Sequence, residues 1–143
     1  MVKIRTYSHR DSERILKEKG LYQEIMEIVR KTPSLGTGAH NMISGFLGEK
    51  GWNLEVNLLK GTRYQQDAYK QGVLLEIDLR GSLLDSVHRN FLRSQVLYNS
   101  EVVDVLVQIT EMDREPKYNA MKRDIELFKS VLSVPIYLIG LGG

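Results

Sequence analysis

Apolar residues recur along this chain in two periods, and the switches between those periods divide it into elements. Val2–Tyr7 alternates and is rich in β-prone residues, which predicts a short strand. From about residue 13 to 31, Ile15, Leu16, Leu21, Ile25, Met26, Ile28 and Val29 return at helical spacing; Asp11 or Ser12 is the expected cap and Gly20 a candidate break. Pro33–Gly38 predicts a turn-rich connection, and a second helix over roughly 40–49 carries Met42, Ile43, Phe46 and Leu47 on one side. Trp52–Leu58 alternates strictly, as a half-buried strand does. Lys60–Gln71 is polar, a loop or short strand, and Gly72–Leu79 is strongly strand-like up to the break at Gly81. A helix is expected over 83–98, with Leu83, Leu84, Val87, Phe91, Val96 and Leu97 as its apolar side. A strand over Glu101–Thr110 and a helix from Pro116 to about Leu132 follow. Val134–Leu141 is a nearly uninterrupted apolar run, the pattern of a strand covered on both faces. This order predicts an α/β domain, a mixed central sheet flanked by helices.

Composition narrows the class. With 143 residues the expectation is one domain, 1–143, able to bury its own core. A hydrophobic share of 42%, 27% charged residues, 12 Gly and 3 Pro exclude disordered and collagen-like chains. The absence of cysteine excludes a disulfide framework, a thiolate zinc site and a cysteine nucleophile. No apolar run reaches the ~20 residues that span a bilayer, and MVKIRTYSHR lacks a signal-peptide core, so the expectation is a cytoplasmic protein with no membrane partner. Net charge is +2. Lys60, Arg63 and Lys70 gather around two tyrosines, residues 101–113 are acidic, and there is no basic tail; binding of nucleic acid would therefore need a shaped surface.

Most candidate motifs carry no chemistry. His9, His40 and His88 lack metal-ligand spacing and read as isolated surface or core histidines. Asp85, Ser86 and His88 stand too close on one helix to form a triad, and neither Gly36-Thr-Gly38 nor the terminal Gly-Leu-Gly-Gly has a phosphate-loop lysine. The segment Asp67 to Asp78, DAYKQGVLLEID, is different. Along a strand Glu76 and Asp78 project to one face, and Leu75, Ile77 and Leu79 to the other. Two carboxylates about 4 Å apart repel by roughly 4 kcal/mol at an effective dielectric near 20. A divalent cation removes that repulsion, and Asp67, across a glycine turn, can supply a third carboxylate. The same residues also fit an exposed edge strand with solvated acids.

The spacing Asp-x₈-Glu-x-Asp resembles the active site of the PD-(D/E)XK nucleases, and further segments resemble the BglII/BstYI group of type II restriction endonucleases, relatives of BamHI. Tyr7-Ser8-His9 before a helix resembles that group's opening. Gly38-Ala-His-Asn41, with a helix ending in Lys50-Gly51-Trp52, resembles its Asn-containing helix and exit. Val134–Leu141 resembles its last sheet strand, and Tyr118 falls where the group carries a tyrosine before the last helix. The resemblance runs in order through most of the chain, which is shorter than its relatives at Pro33–Gly38 and past Gly143.

The resemblance implies a restriction-endonuclease-like fold and Mg²⁺-dependent hydrolysis of double-stranded DNA at a short palindromic site, GATC-containing in relatives, leaving 5′-phosphate ends. It makes Asp67 and Glu76 the metal-binding acids and Asp78 a carboxylate that holds or orients water. Glu55 matches a position near the metal in relatives, or is an ordinary solvent-facing strand residue. Arg80 and Gly81 fall where the group contacts bases; Arg80 is a base contact, or else a phosphate contact or plain surface cation. Lys60, Arg63 and Lys70 become phosphate contacts, and Asn41 a DNA contact or a helix cap. A homodimer and a cognate DNA methyltransferase are the implied partners, with the 83–98 helix either at the dimer interface or simply covering the sheet. Two alternatives stand beside this: a repair or structure-specific nuclease of the same fold, and a cleavage-inactive DNA-binding or assembly subunit.

Overall fold

The computed structural model describes residues 2–79, 84–112 and 117–143. Their elements run β1 (Lys3–His9), α1 (Ser12–Glu18), α2 (Tyr22–Arg30), α3 (Ala39–Glu49), β2 (Asn53–Val56), β3 (Gln66–Lys70), β4 (Val73–Asp78), α4 (Leu84–Asn99), β5 (Val105–Glu111), α5 (Lys117–Leu127) and β6 (Ile136–Gly142). The strands form one six-stranded sheet in the order β1-β6-β5-β4-β3-β2. β4, β5 and β6 are parallel, joined by crossovers through α4 and α5; β1, β3 and β2 extend the sheet antiparallel at its two sides. None of the described helices is long and apolar enough to cross a membrane.

The sheet lies between two apolar layers, and strand alternation divides the side chains between them. Val73, Leu75 and Ile77 of β4, with Val105, Val107 and Ile109 of β5, pack against α1, α2 and α3. Leu74, Leu106, Ile136 and Leu138 pack against α4 and α5. Both faces are buried, which is why β6 reads as a nearly continuous apolar run.

Several local expectations are corrected by the fold. The 13–31 helix is two helices, α1 and α2. Gly20, at φ +74°, ends the first, and Leu21 N–H closes back on the Leu16 carbonyl at 3.0 Å. Neither Asp11 nor Ser12 caps α1 by side chain; Ser8 Oγ accepts the Glu13 N–H, and Ser12 Oγ donates to the Ile136 carbonyl, tying α1 to β6. Val96 is exposed, because the buried stripe of α4 runs through Val87, Asn90, Phe91, Ser94 and Leu97. α5 ends at Leu127; the turns after it bring the Leu132 carbonyl to His9 Nε2 at 2.7 Å and Arg10 Nε at 3.2 Å. β2 is a short edge strand whose alternation breaks at Glu55, at φ +49°, leaving Leu54 exposed.

Gly140 of β6 lies under the ring of Tyr118: a Cβ there would sit 2.6 Å from Tyr118 Cδ2. Since Tyr118 is itself buried against the sheet, the ring has little room to retreat. Gly140→Ala is expected to destabilise the fold by about 1–3 kcal/mol, read as a lowered denaturation midpoint with an unchanged slope in urea.

Candidate active site

The site begins with a turn. Gln71 and Gly72, at φ +49° and +80°, make the two-residue left-handed loop of a tight hairpin. That loop sets the β3–β4 register, Lys70 opposite Val73, Tyr69 opposite Leu74 and Ala68 opposite Leu75. One step further, the register brings Asp67 to Glu76, and side chains take over from the backbone ladder. Asp67 N–H donates to Glu76 Oε1 at 2.7 Å, and Ile77 N–H donates to Asp67 Oδ2 at 2.7 Å. Each carboxyl is held by a backbone N–H of the other strand, which fixes its direction.

Glu76 and Asp78 share the α4/α5 face with Leu74, at the C-terminal end of the parallel strands where ligands bind in open α/β sheets. Glu76 is only 5% exposed. Burial, then the charges of Asp67 and Asp78, push its pKa up to about 8, against the opposing effects of the Asp67 N–H and Arg93. Asp78 Oδ2 accepts from Asn90 Nδ2 of α4 at 2.8 Å and from Gln108 Nε2 of β5 at 3.0 Å. His40, in the first turn of α3, brings Nε2 to 3.7 Å from Asp67 Oδ2. Contact with that carboxyl holds the imidazole pKa above its ordinary 6.5, against the effect of desolvation. Arg93, one turn beyond Asn90 on α4, stacks its guanidinium 3.7 Å from the centre of the Tyr64 ring.

The donor chemistry fits a hard divalent cation. Asp67 and Glu76 adjoin, and the charge of Asp67 adds to burial in raising the Glu76 pKa. Mg²⁺ is commonly held by one or two carboxylates, with waters and substrate phosphate completing its shell. Among the described residues no three His, Cys, Asp or Glu side chains form a ligand group. The expected gathering of three acids is therefore revised to an adjoining pair, Asp67 and Glu76, with Asp78 held beside it by amides.

The other anticipated residues are dispersed. Glu55 is exposed on β2, without a hydrogen bond or ion pair to the acids among the described residues. Lys60 and Arg63 are exposed on the β2–β3 loop, which packs Leu58 and Leu59 onto the α4/α5 layer and so lies on the acids' side of the sheet. Lys70 departs from its expected role as a phosphate contact. It points to the opposite face, where its ammonium meets Glu24 Oε2 at 3.1 Å and the Lys50 carbonyl at 2.7 Å, beside the Trp52 ring. Asn41 is exposed in the first turn of α3, next to His40; the cap position belongs to Gly38. Arg80 and Gly81 lie outside the described residues.

Four residues near the acids were not anticipated: His40, Asn90, Arg93 and Gln108. Two had a readable signal. Gln108 interrupts an apolar strand on the face of Leu106, and Asn90 falls on the buried stripe of α4. His40 and Arg93 had none, since both approach from elements distant in sequence. The remaining histidines are structural: His9 is buried on the Leu132 carbonyl, and His88 pairs with Asp124 across α4 and α5 at 2.7 Å.

The sequence profile of the restriction endonuclease BglII/BglIII family matches residues 4–141, nearly the whole chain. The chain belongs to that family. As a member it is a type II restriction endonuclease, an enzyme that acts on DNA. No curated protein sequence matches the chain. Among solved structures it is similar to restriction endonuclease BglII complexed with a DNA 16-mer, with a TM-score of 0.78 and 21% identity, over 98% of this chain and 75% of that one. That likeness shows the shared fold, the mixed six-stranded sheet with its flanking helices.

The raised Glu76 pKa has a direct consequence for this family member in the absence of divalent ions. Glu76 holds its proton more tightly folded than unfolded, so its contribution to stability is complete below about pH 4.5 and is lost as pH rises through about 8. In EDTA, the thermal midpoint of the wild type is expected to fall across that window relative to Glu76→Gln, which lacks the titration. Parallel pH profiles for the two proteins would show that Glu76 titrates normally.

Proposed function

We propose that this restriction endonuclease hydrolyses double-stranded DNA at a short palindromic site with Mg²⁺, leaving 5′-phosphate and 3′-hydroxyl ends, through a PD-(D/E)XK-type site of Asp67, Glu76 and Asp78. The observation that carries the reading is the reciprocal hydrogen bonding of Asp67 and Glu76 at the mouth of the sheet, with Asp78 beside them. Asp67 and Glu76 hold the cation; when bound, it supplies Lewis-acid neutralisation of charge at the scissile phosphodiester. Asp78, held by two amides, orients the attacking water. The P–O3′ bond breaks, the water oxygen stays on phosphorus and the proton ends on the 3′ oxygen. Lys60 and Arg63 contact backbone phosphates, which fix position without reading sequence. Arg80 reads a base, as an arginine does through the O6 and N7 of guanine.

The test is digestion of unmethylated plasmid, with GATC-centred duplexes as the first oligonucleotide probes. With Mg²⁺ the wild type is expected to give discrete bands, and EDTA or Glu76→Ala to slow cleavage at least about a thousandfold, of the order expected when charge stabilisation at the reacting centre is lost. Undiminished digestion by Glu76→Ala defeats the assignment of the acids. A structure-dependent smear means a repair-type nuclease, and intact plasmid a binding subunit.

A palindrome calls for two-fold symmetry, and we propose that a second copy of this chain supplies it through α4 and the segment after α5. Supporting this, Leu92, Phe128 and Val131 are 64%, 48% and 65% exposed and line an apolar groove of about 270 Å³ with His88, Phe91 and Leu132. An exposed apolar strip of this kind is uncommon on a monomer. Leu92→Asp combined with Val131→Asp is expected to halve the mass in sedimentation and to suppress double-strand breaks, with the thermal midpoint retained. An unchanged dimer would assign the interface elsewhere.

A further inference from the structure

We propose that Asn90 and Gln108 are positioning residues for the hydrolysis, locking the Asp78 carboxylate in one orientation from two different elements. The proposal rests on the reading of Asp67, Glu76 and Asp78 as the catalytic group. Its geometry is closed. Asn90 Nδ2 reaches Asp78 Oδ2 at 2.8 Å and Gln108 Oε1 at 3.1 Å, while Gln108 Nε2 reaches the same Asp78 oxygen at 3.0 Å and the Ile109 carbonyl at 3.1 Å. The Gln108 amide can face only one way. Reversed, its oxygen would oppose a carboxylate and a carbonyl, and its nitrogen would oppose the Asn90 donor. Both amides therefore point donors at Asp78, and the carboxylate is held as an acceptor.

The positions themselves make the case stronger. Gln108 is fully buried in β5, directly opposite Glu76 in the parallel ladder, with Leu74 and Leu106 on its face. Asn90 is 7% exposed on a buried stripe that it shares with Val87, Phe91, Ser94 and Leu97. Apolar residues would continue the core at both places, and a buried amide costs stability unless every polar atom finds a partner. Here the partners found are each other, backbone carbonyls and one oxygen of Asp78. Asp67 and Glu76 are oriented by backbone N–H groups of the hairpin; Asp78, at the last residue of β4, accepts from α4 and β5 among the described residues.

The test compares Gln108→Met and Asn90→Ala with wild type and with Ser94→Ala, a control for damage to the same buried stripe. Single-turnover cleavage with Mg²⁺ is measured together with duplex affinity by fluorescence anisotropy in EDTA and the thermal midpoint. Both variants are expected to cleave about 10–100-fold more slowly, as is typical when support of a metal-site ligand is removed, with duplex affinity within about threefold of wild type. Ser94→Ala is expected to keep the wild-type rate. Should Gln108→Met melt below the assay temperature, Asn90→Ala alone decides. Wild-type rates in the variants, a loss confined to duplex affinity, or an equal loss in Ser94→Ala would overturn the positioning role. If Glu76→Ala still abolishes cleavage in that case, the acids keep their assignment; a wild type that leaves every duplex intact overturns both.

Discussion

The arrangement of the candidate site depends on an exchange across one hairpin, in which Asp67 and Glu76 each satisfy a backbone N–H of the other's strand. Two acids side by side in a buried position would ordinarily swing apart or draw in water. Here the backbone holds them, because the carboxylates stand in for ladder acceptors where β3 and β4 part. The turn at Gln71 and Gly72 makes this possible by setting the register; a slip of one residue would move the acids to opposite faces.

That arrangement sets the buried Glu76 between two partly exposed carboxylates, Asp67 and Asp78. Arg93 brings positive charge from α4 and His40 an imidazole of raised pKa from α3, yet Glu76 still holds its proton far above the ordinary carboxylate range. A buried acid pair of this kind agrees with the metal dependence general to the BglII/BglIII family. Asp78 is treated differently, with two amide donors directed at one oxygen.

The two faces of the sheet divide the labour. Toward α1, α2 and α3 the packing is apolar, and the polar groups near it are neutralised internally: Lys70 against Glu24, and Trp52 Nε1 on the same carboxylate at 2.7 Å. Toward α4 and α5 the first half of each parallel strand is apolar and the second half carries Glu76, Asp78, Gln108 and Thr110. Lys70 shows how alternation overrides proximity in sequence: it is three residues from Asp67 and on the other side of the sheet.

The chain by itself determined the fold class, most element positions and the acid-bearing strand, because these follow from short periodicities that depend on neighbours two to four residues away. The β3 segment reads as a loop or short strand, since nothing in Gln66–Lys70 alone announces pairing. The spacing of Asp67, Glu76 and Asp78 was legible for the same local reason: a tight hairpin converts separation in sequence into opposition in space. What only the tertiary structure decided is who surrounds them. Gln108 meets Asp78 through a parallel ladder that requires the α4 crossover, Asn90 through helix packing on that ladder, and His40 through the docking of α3 on the far face. Those approaches span from 12 residues for Asn90 to 30 for Gln108, and no period along the chain encodes them.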